Sequence, residues 1–390
     1  YRAAILKDDL LALAEQLNKT SDTLVKLADR HAATIVPNYT NGVAAQPNSY
    51  GHYLLGHAAG FERDAQRLRE AYARIDRSAM GTTVLNGTSW PLNRKRMASY
   101  LGFSSVVDNA YDAGQISSSE HPVEVGAVIS SMALHVGHFI EDLMTQYAQP
   151  RPWILLQEGG GNTYVSSAMP QKRNPGLLND TRRDASTSIA LAIGPLIRAH
   201  NITPGMGDAK DQKTNSDMVK SAIRFLQGFD KIMNGMVISQ ERALEELNSD
   251  WTASQELADV LMSKYKLPFR LGHHFASEVV DQAKTKGIKP LDFSFEDAKS
   301  IYKSAVKDYP AALQELPMSE AEFKSTLNPV AIVQNRKTAG GPQASEMTRM
   351  LALAKQNIKD QNQWISQKKN FIENAMNQLD GDFAKLVKAP

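Results

Sequence analysis

The sequence predicts an all-α protein: a long-helix bundle at the core of an oligomer, followed by a smaller helical C-terminal domain. Three observations carry that expectation. Apolar residues recur at three- and four-residue spacing along most of the 390 positions, with no sustained alternating run. The helical stretches are ~25–30 residues long and so span about 40 Å or more, too long to wrap one compact core. Stretches such as 127–134 and 189–197 carry few charges for a solvated surface, so a second face of these helices is expected to pack on other subunits.

The elements follow in order. A first helix is expected from about Ala3 to Thr34, with Ile5, Leu6, Leu10, Leu13, Leu17, Leu24, Leu27 and Ala28 on one face and Pro37 as its stop. A second runs from about Pro47 to Ser78, Pro47 suiting a first-turn position whose amide has no partner. Stretches of about Pro122–Tyr147 and Pro175–Ala199 open on proline in the same way, and another runs from about Asn215 to Ile238. Beyond about Asn248 the elements shorten and turn signals become denser: Lys266-Leu-Pro, Gly287-Ile-Lys-Pro, Leu316-Pro, Asn328-Pro and Gly340-Gly-Pro. Residues 1–247 are therefore expected to form the bundle that carries the chemistry, and 248–390 a smaller helical domain. Its polar tail reads as a terminal helix from about Lys355, with Ile358, Trp364, Phe371, Ile372 and Met376 at helical spacing.

Composition removes several classes of function. With 44 basic and 42 acidic residues the net charge is only +2, so nothing in bulk charge points to nucleic acid or a membrane surface. No uninterrupted apolar run approaches the ~18 residues of a membrane span. The absence of cysteine removes disulfides, thiolate ligands and a cysteine nucleophile. His273-His274 do not make a metal site, because neighbours on a helix point about 100° apart and no carboxylate sits at ligand spacing. No metal or cofactor is expected. The chain opens on Tyr1 rather than Met, so a processed or partial chain is expected, with a cytoplasmic location unless a targeting segment has been removed.

Chemistry is expected where the helical rhythm breaks, at 35–52, 81–94 and 156–175. Residues 166–174 read Ser-Ser-Ala-Met-Pro-Gln-Lys-Arg-Asn, which resembles the signature S-S-x-M-P-x-K-x-N of the fumarase/aspartase superfamily, with Gln171 and Pro175 leaning towards its argininosuccinate lyase branch. Residues 35–52 are similar to that family's P-G-Y-T-H-x-Q-x-A-Q-P-x-T-x-x-H, whose last His falls on His52. Gly81 to Arg94 resembles the glycine- and threonine-rich loop that argininosuccinate lyases carry next. Asp259 to His274 and Asn328 to Gly341 resemble two further family segments. Gly-Gly-Gly at 159–161 reads as a flexible lid rather than a phosphate loop, since no Gly-Lys-Ser/Thr follows.

The resemblance implies anti elimination of an amine from an N-substituted aspartate to give fumarate, in a homotetramer whose sites are shared between subunits. Ser166 would take the proton next to a carboxylate, and Lys172, Asn174 and Ser167 would hold the small dicarboxylate substrate, with Lys172 lowering the serine pKa. His52 would protonate the leaving nitrogen or position a water that does so, an ordinary imidazole pKa of ~6.5 suiting the task. Ser49 stands where the family has Thr beside the carboxylate site, Thr40 supports that loop, and Gln212 belongs to the amine side.

Departures matter as much. Thirteen residues after Ser166 the family carries a Glu that pairs with the catalytic His, and here stands Asn179, which orients an imidazole but does not stabilise its cation. The amine-side segment after Pro204 is rebuilt, with Gly207 at the Tyr position. The family's N-terminal segment, ending in S-R-N-D-x, does not precede Tyr1. A different amine from that of argininosuccinate is therefore expected, the alternative being a catalytically silent, crystallin-like helical scaffold.

Overall fold

The computed structural model describes residues 1–388. Five long helices make the bundle. They are α1 (Arg2–Arg30), α2 (Tyr50–Ile75), α4 (Ser117–Tyr147), α5 (Gly176–Ala199) and α6 (Gln212–Gly235), with the short α3 (Arg94–Tyr100) between α2 and α4. They pack as α1 on α2 and α6, α4 on α2 and α5, and α5 on α6. The seam repeats at seven residues: Leu10, Leu17 and Leu24, then Leu54, Phe61 and Leu68, then Ile129, Val136 and Leu143, then Met218, Phe225 and Ile232, all buried. That repeat keeps one stripe of each helix facing its neighbours along its whole length, and each fully buried Leu or Phe contributes about 1.5–3 kcal/mol.

Helix α7 (Gln240–Ser249) leads out of the bundle into a second apolar cluster. There α8 (Gln255–Tyr265), α9 (Phe269–Lys286), α10 (Phe295–Ala305) and α11 (Glu320–Thr326) close around Leu257, Leu271, Phe275, Phe293, Tyr302 and Phe323. After α12 (Pro329–Gln334) the 45-residue α13 (Ala344–Lys388) returns along α1, α2 and α3. Met347, Leu351 and Ile365 of α13 join the bundle core and not the second cluster.

Several element boundaries differ from expectation. The first helix stops at Arg30, and Pro37 and Pro47 are not helix punctuation: they face each other across a hairpin of β1 (Ile35–Thr40) and β2 (Val43–Ser49). Neither proline has an amide to give, so an isolated two-stranded ribbon tolerates them where an interior strand would not. Residues 35–49 also fail to alternate, because a bulge between Asn38 and Tyr39 shifts the register. Helix α2 therefore opens at Tyr50, with Ser49 as its cap, and past its C-terminus β3 (Arg77–Ser78) pairs in parallel with β4 (Ser105–Val106). Pro122 lies inside α4, which continues upstream through a π-helical stretch, Asp112–Ile116. The terminal helix begins eleven residues before Lys355, at Ala344.

The helical stretch Asp112–Tyr147 is long and apolar enough to cross a membrane, but half of its apolar window is buried inside the bundle. Beside it, α5 exposes Leu191, Ile193, Leu196 and Ile197. A single chain leaves this apolar face uncovered.

Candidate active site

The irregular segments sit at two opposite ends of the bundle. One end gathers the C-termini of α1, α4 and α6 with the N-termini of α2 and α5. Two short ribbons close it: β5 (Ile154–Leu156) pairs with β8 (Met236–Ile238), and β6 (Tyr164–Val165) pairs with β7 (Arg173–Asn174). The β1–β2 hairpin docks here too. Tyr39 Oη donates to Glu246 (2.5 Å) and accepts from Trp153 Nε1 (2.9 Å), and Tyr50 stacks edge-on against Trp153.

Ser166 lies at the tip of the β6–β7 ribbon. Its backbone amide donates to the Lys172 carbonyl (3.2 Å) and the Lys172 amide to the Met169 carbonyl (3.0 Å), which folds residues 166–172 into a closed loop. Inside that loop the Ser166 Oγ accepts from the amides of Met169 (3.2 Å) and Ala168 (3.4 Å). Two backbone N–H dipoles aimed at one oxygen favour its anion, the requirement for a serine that acts as a base. Arg173 fastens the loop from outside, to Glu158 (3.0 Å) and to the Pro170 carbonyl (2.7 Å). Lys172 and Ser167 are exposed beside it, and Asn174 donates to the Tyr164 carbonyl at 3.5 Å. The preceding Gly159, Gly160 and Gly161 all have φ between +59° and +82°, a run of left-handed backbone that residues with a Cβ enter only at a cost.

The residues of the other expected catalytic segment have mainly structural engagements. Ser49 is fully buried; its hydroxyl donates to the Ala32 carbonyl (2.5 Å) and accepts from the His52 amide (3.4 Å), so it caps α2 and does not face a substrate. Thr40 is exposed at the hairpin end. His52 is held at both ring nitrogens: the Asn48 side-chain amide donates to Nδ1 (3.1 Å), and Nε2 donates to the Gly340 carbonyl (2.8 Å). The expected proton donor is thus a tether between α2 and the glycine turn before α13. Among the described residues no hydrogen bond joins it to Asn179 or to Ser166. Asp180, the carboxylate nearest to Asn179 in sequence, pairs with Arg183 (2.9 Å).

Gln212 is at the other end. It opens α6, and its amide donates to Ser216 Oγ (3.0 Å). The 24 residues of α6 put about 36 Å between it and Gly235 beside the Ser166 ribbon. The 81–94 loop lies at Gln212's end. Gln115 donates to the Val84 carbonyl (3.1 Å), Lys210 to the Gly114 carbonyl (3.2 Å), and Arg94 to the carbonyls of Met80, Val107 and Asp108. Thr83 and Val84 have φ of +46° and +79°, a strained backbone for β-branched residues that is characteristic of functional loops. Composition gave no sign of it.

The fold is a long-helix bundle with a serine-bearing turn on a short ribbon at one end. Residues 3–187 match a family model described as lyase, and 251–334 one described as argininosuccinate lyase C-terminal. Over 355 residues the chain is 30% identical to an argininosuccinate lyase of Geobacillus thermodenitrificans, covering 90% of this chain and 72% of that one. It is 28% identical over 380 residues to that of Methanosarcina acetivorans, covering 96% and 74%. In fold it resembles an EDDS lyase solved with formate, at a TM-score of 0.86 and 22% identity over 99% of this chain and 76% of that one. A 3-carboxy-cis,cis-muconate lactonizing enzyme from Pseudomonas putida gives 0.63 and 20%, over 92% and 74%. The chain belongs to the argininosuccinate lyase family of the fumarase/aspartase superfamily, and it is a carbon–nitrogen lyase that forms fumarate.

Proposed function

We propose that the protein eliminates an amine from an N-substituted aspartate, reversibly, with Ser166 as the base. The observation that carries this is the pair of amides on the Ser166 oxygen. Removing a proton from carbon beside a carboxylate gathers negative charge on that carboxylate, and the exposed Lys172 on the same turn, with Ser167 and Asn174, would be the donors that meet it.

The working unit is a homotetramer with shared sites. Within one chain, Gln212 and the 81–94 loop are a bundle's length from Ser166, so an antiparallel partner is needed to bring the two ends together. The uncovered apolar face of α5 supplies the surface for such packing.

The test is direct. Incubating the protein with fumarate and a panel of amines, and following fumarate absorbance in both directions, is expected to show turnover that Ser166→Ala removes. No turnover with any amine, together with no rise in Tm on adding fumarate or succinate, would leave the fold as a silent scaffold.

A further inference from the structure

We propose that the groove between α2 and α13 binds a linear zwitterion, a chain with a carboxylate at one end and an ammonium about 10 Å away. The proposal does not depend on Ser166 as the base.

The two helices run side by side in the same direction. His52 meets Gly340 just before α13 begins, Tyr72 packs edge-on against Trp364, and Lys368 donates to Asp76. The last two pairs share one offset of 292 residues, so Arg69 lies level with Gln361, and Glu62 level with Ala354. Between the helices, with α1 as its floor, runs a cavity of about 410 Å³, a size that suits a small molecule. Its walls from Ala58 to Arg69 are small or apolar otherwise: Ala58, Ala59, Ala65, Ala354 and Ile358.

Two observations point to a charged occupant. Gln361 lines the cavity and is 3% exposed, yet neither its Oε1 nor its Nε2 has a hydrogen-bond partner, and one turn earlier Asn357 Nδ2 has none either. Buried amides are paired in nearly every folded protein, so this pair marks where a ligand's polar end belongs. Level with them, Arg69 is half-buried and makes no ion pair among the described residues, whereas Arg67 and Arg74 on the same helix pair with Asp64 and Glu124. A guanidinium beside two free amides suits a carboxylate.

The second observation is Glu62, two turns back on the same face of α2. It lines the same cavity, accepts from Gln66 at 3.4 Å, and has no cationic partner among the described residues. Seven residues of helix separate it from Arg69 by about 10 Å. Two opposite charges on one wall, spaced with small residues between them, fit the two ends of one molecule. The other charged or titratable groups on the cavity are engaged: Arg349 with Glu346, and His52 with Asn48 and Gly340.

Calorimetric titration of the whole protein tests this with 8-aminooctanoate, whose extended length matches the spacing, 4-aminobutyrate, half as long, octanoate and octylamine. The first is expected to bind saturably and at least ~10-fold tighter than the other three. Arg69→Gln should leave it no tighter than octylamine, and Glu62→Gln no tighter than octanoate. The exchange of Arg69→Glu with Glu62→Arg keeps both charges in inverted order and should bind it again. Ser166→Ala should bind it as the unaltered chain does, which keeps this result apart from the catalytic reading. No saturable binding of 8-aminooctanoate would overturn the inference. So would octanoate or octylamine binding as tightly, full affinity in either single variant, or a folded exchange variant that does not regain binding.

Discussion

The two ends of the bundle are built by different means. At the Ser166 end, short ribbons close on themselves through backbone hydrogen bonds, with Arg173 fastening the loop from outside, and the Ser166 oxygen is dressed by main-chain amides. At the Gln212 end, side chains reach across to carbonyls: Gln115 to Val84, Lys210 to Gly114, Arg94 to Val107. Main-chain dipoles survive almost any substitution nearby, whereas side-chain tethers can be exchanged one at a time. The end that carries the proposed base is therefore robust and the proposed amine-side end adaptable, which fits the sequence pattern of a Ser166 loop that resembles the family signature and a segment after Pro204 that departs from it.

The largest break in that comparison is Ser166→Ala. It should lower kcat ~10²–10⁴-fold, the range for losing a positioned base, with Tm unchanged because Ser166 adds no core packing. Mixing comes next: subunits carrying Ser166→Ala, reassembled with subunits carrying Gln212→Ala, should recover activity that neither homo-oligomer has. An additive null result would show that both ends serve one chain's own site. Both experiments are read by fumarate absorbance.

Stability tests the Gln212 end by a third route. Near it, Asp76 is 2% exposed and accepts from Lys7 (2.5 Å), the Ser104 amide (3.2 Å) and Lys368 (3.3 Å). Burial pushes its carboxyl up, but Lys7 and Ser104 outweigh that and hold it below its ordinary value. Asp76→Ala leaves the Lys7 ammonium buried without its counter-ion and should cost ~3–5 kcal/mol in chemical denaturation.

A smaller effect is expected midway along the bundle, where His57 packs edge-on against Tyr53 and Phe139. Burial, with His135 and His138 nearby, lowers its pKa to about 4. A histidine depressed in the fold is stabilising as the neutral ring above the unfolded value of ~6.5 and loses that contribution as pH falls towards 4, up to ~3 kcal/mol. His57→Phe should flatten the fall in Tm between pH 6.5 and 4. Least of all, Lys213→Ala, which removes an exposed pair with Asp217 one turn along α6, should leave Tm unchanged.

The helices were legible because Leu10, Leu17 and Leu24, like Met218, Phe225 and Ile232, repeat at seven residues whatever the loops do. The β1–β2 ribbon was not: its prolines read as helix punctuation, and the bulge at Asn38–Tyr39 destroys alternation. The turn that carries Ser166 was legible as a loop, because its polar run breaks the helical rhythm. The engagement of His52 and Ser49 was not, because Ala32 and Gly340, the carbonyls that claim them, lie 17 and 288 residues away in sequence and only folding sets those distances.

The length of α6 also bears on how such a protein changes. A substitution beside Gln212 and one beside Ser166 are about 36 Å apart within a subunit, so their costs to folding should simply add. In the oligomer proposed above the same two positions would face one substrate, where their effects on turnover need not add. New leaving groups can thus be explored at one end of a rigid rod while the fold registers each change as an isolated, small and reversible one.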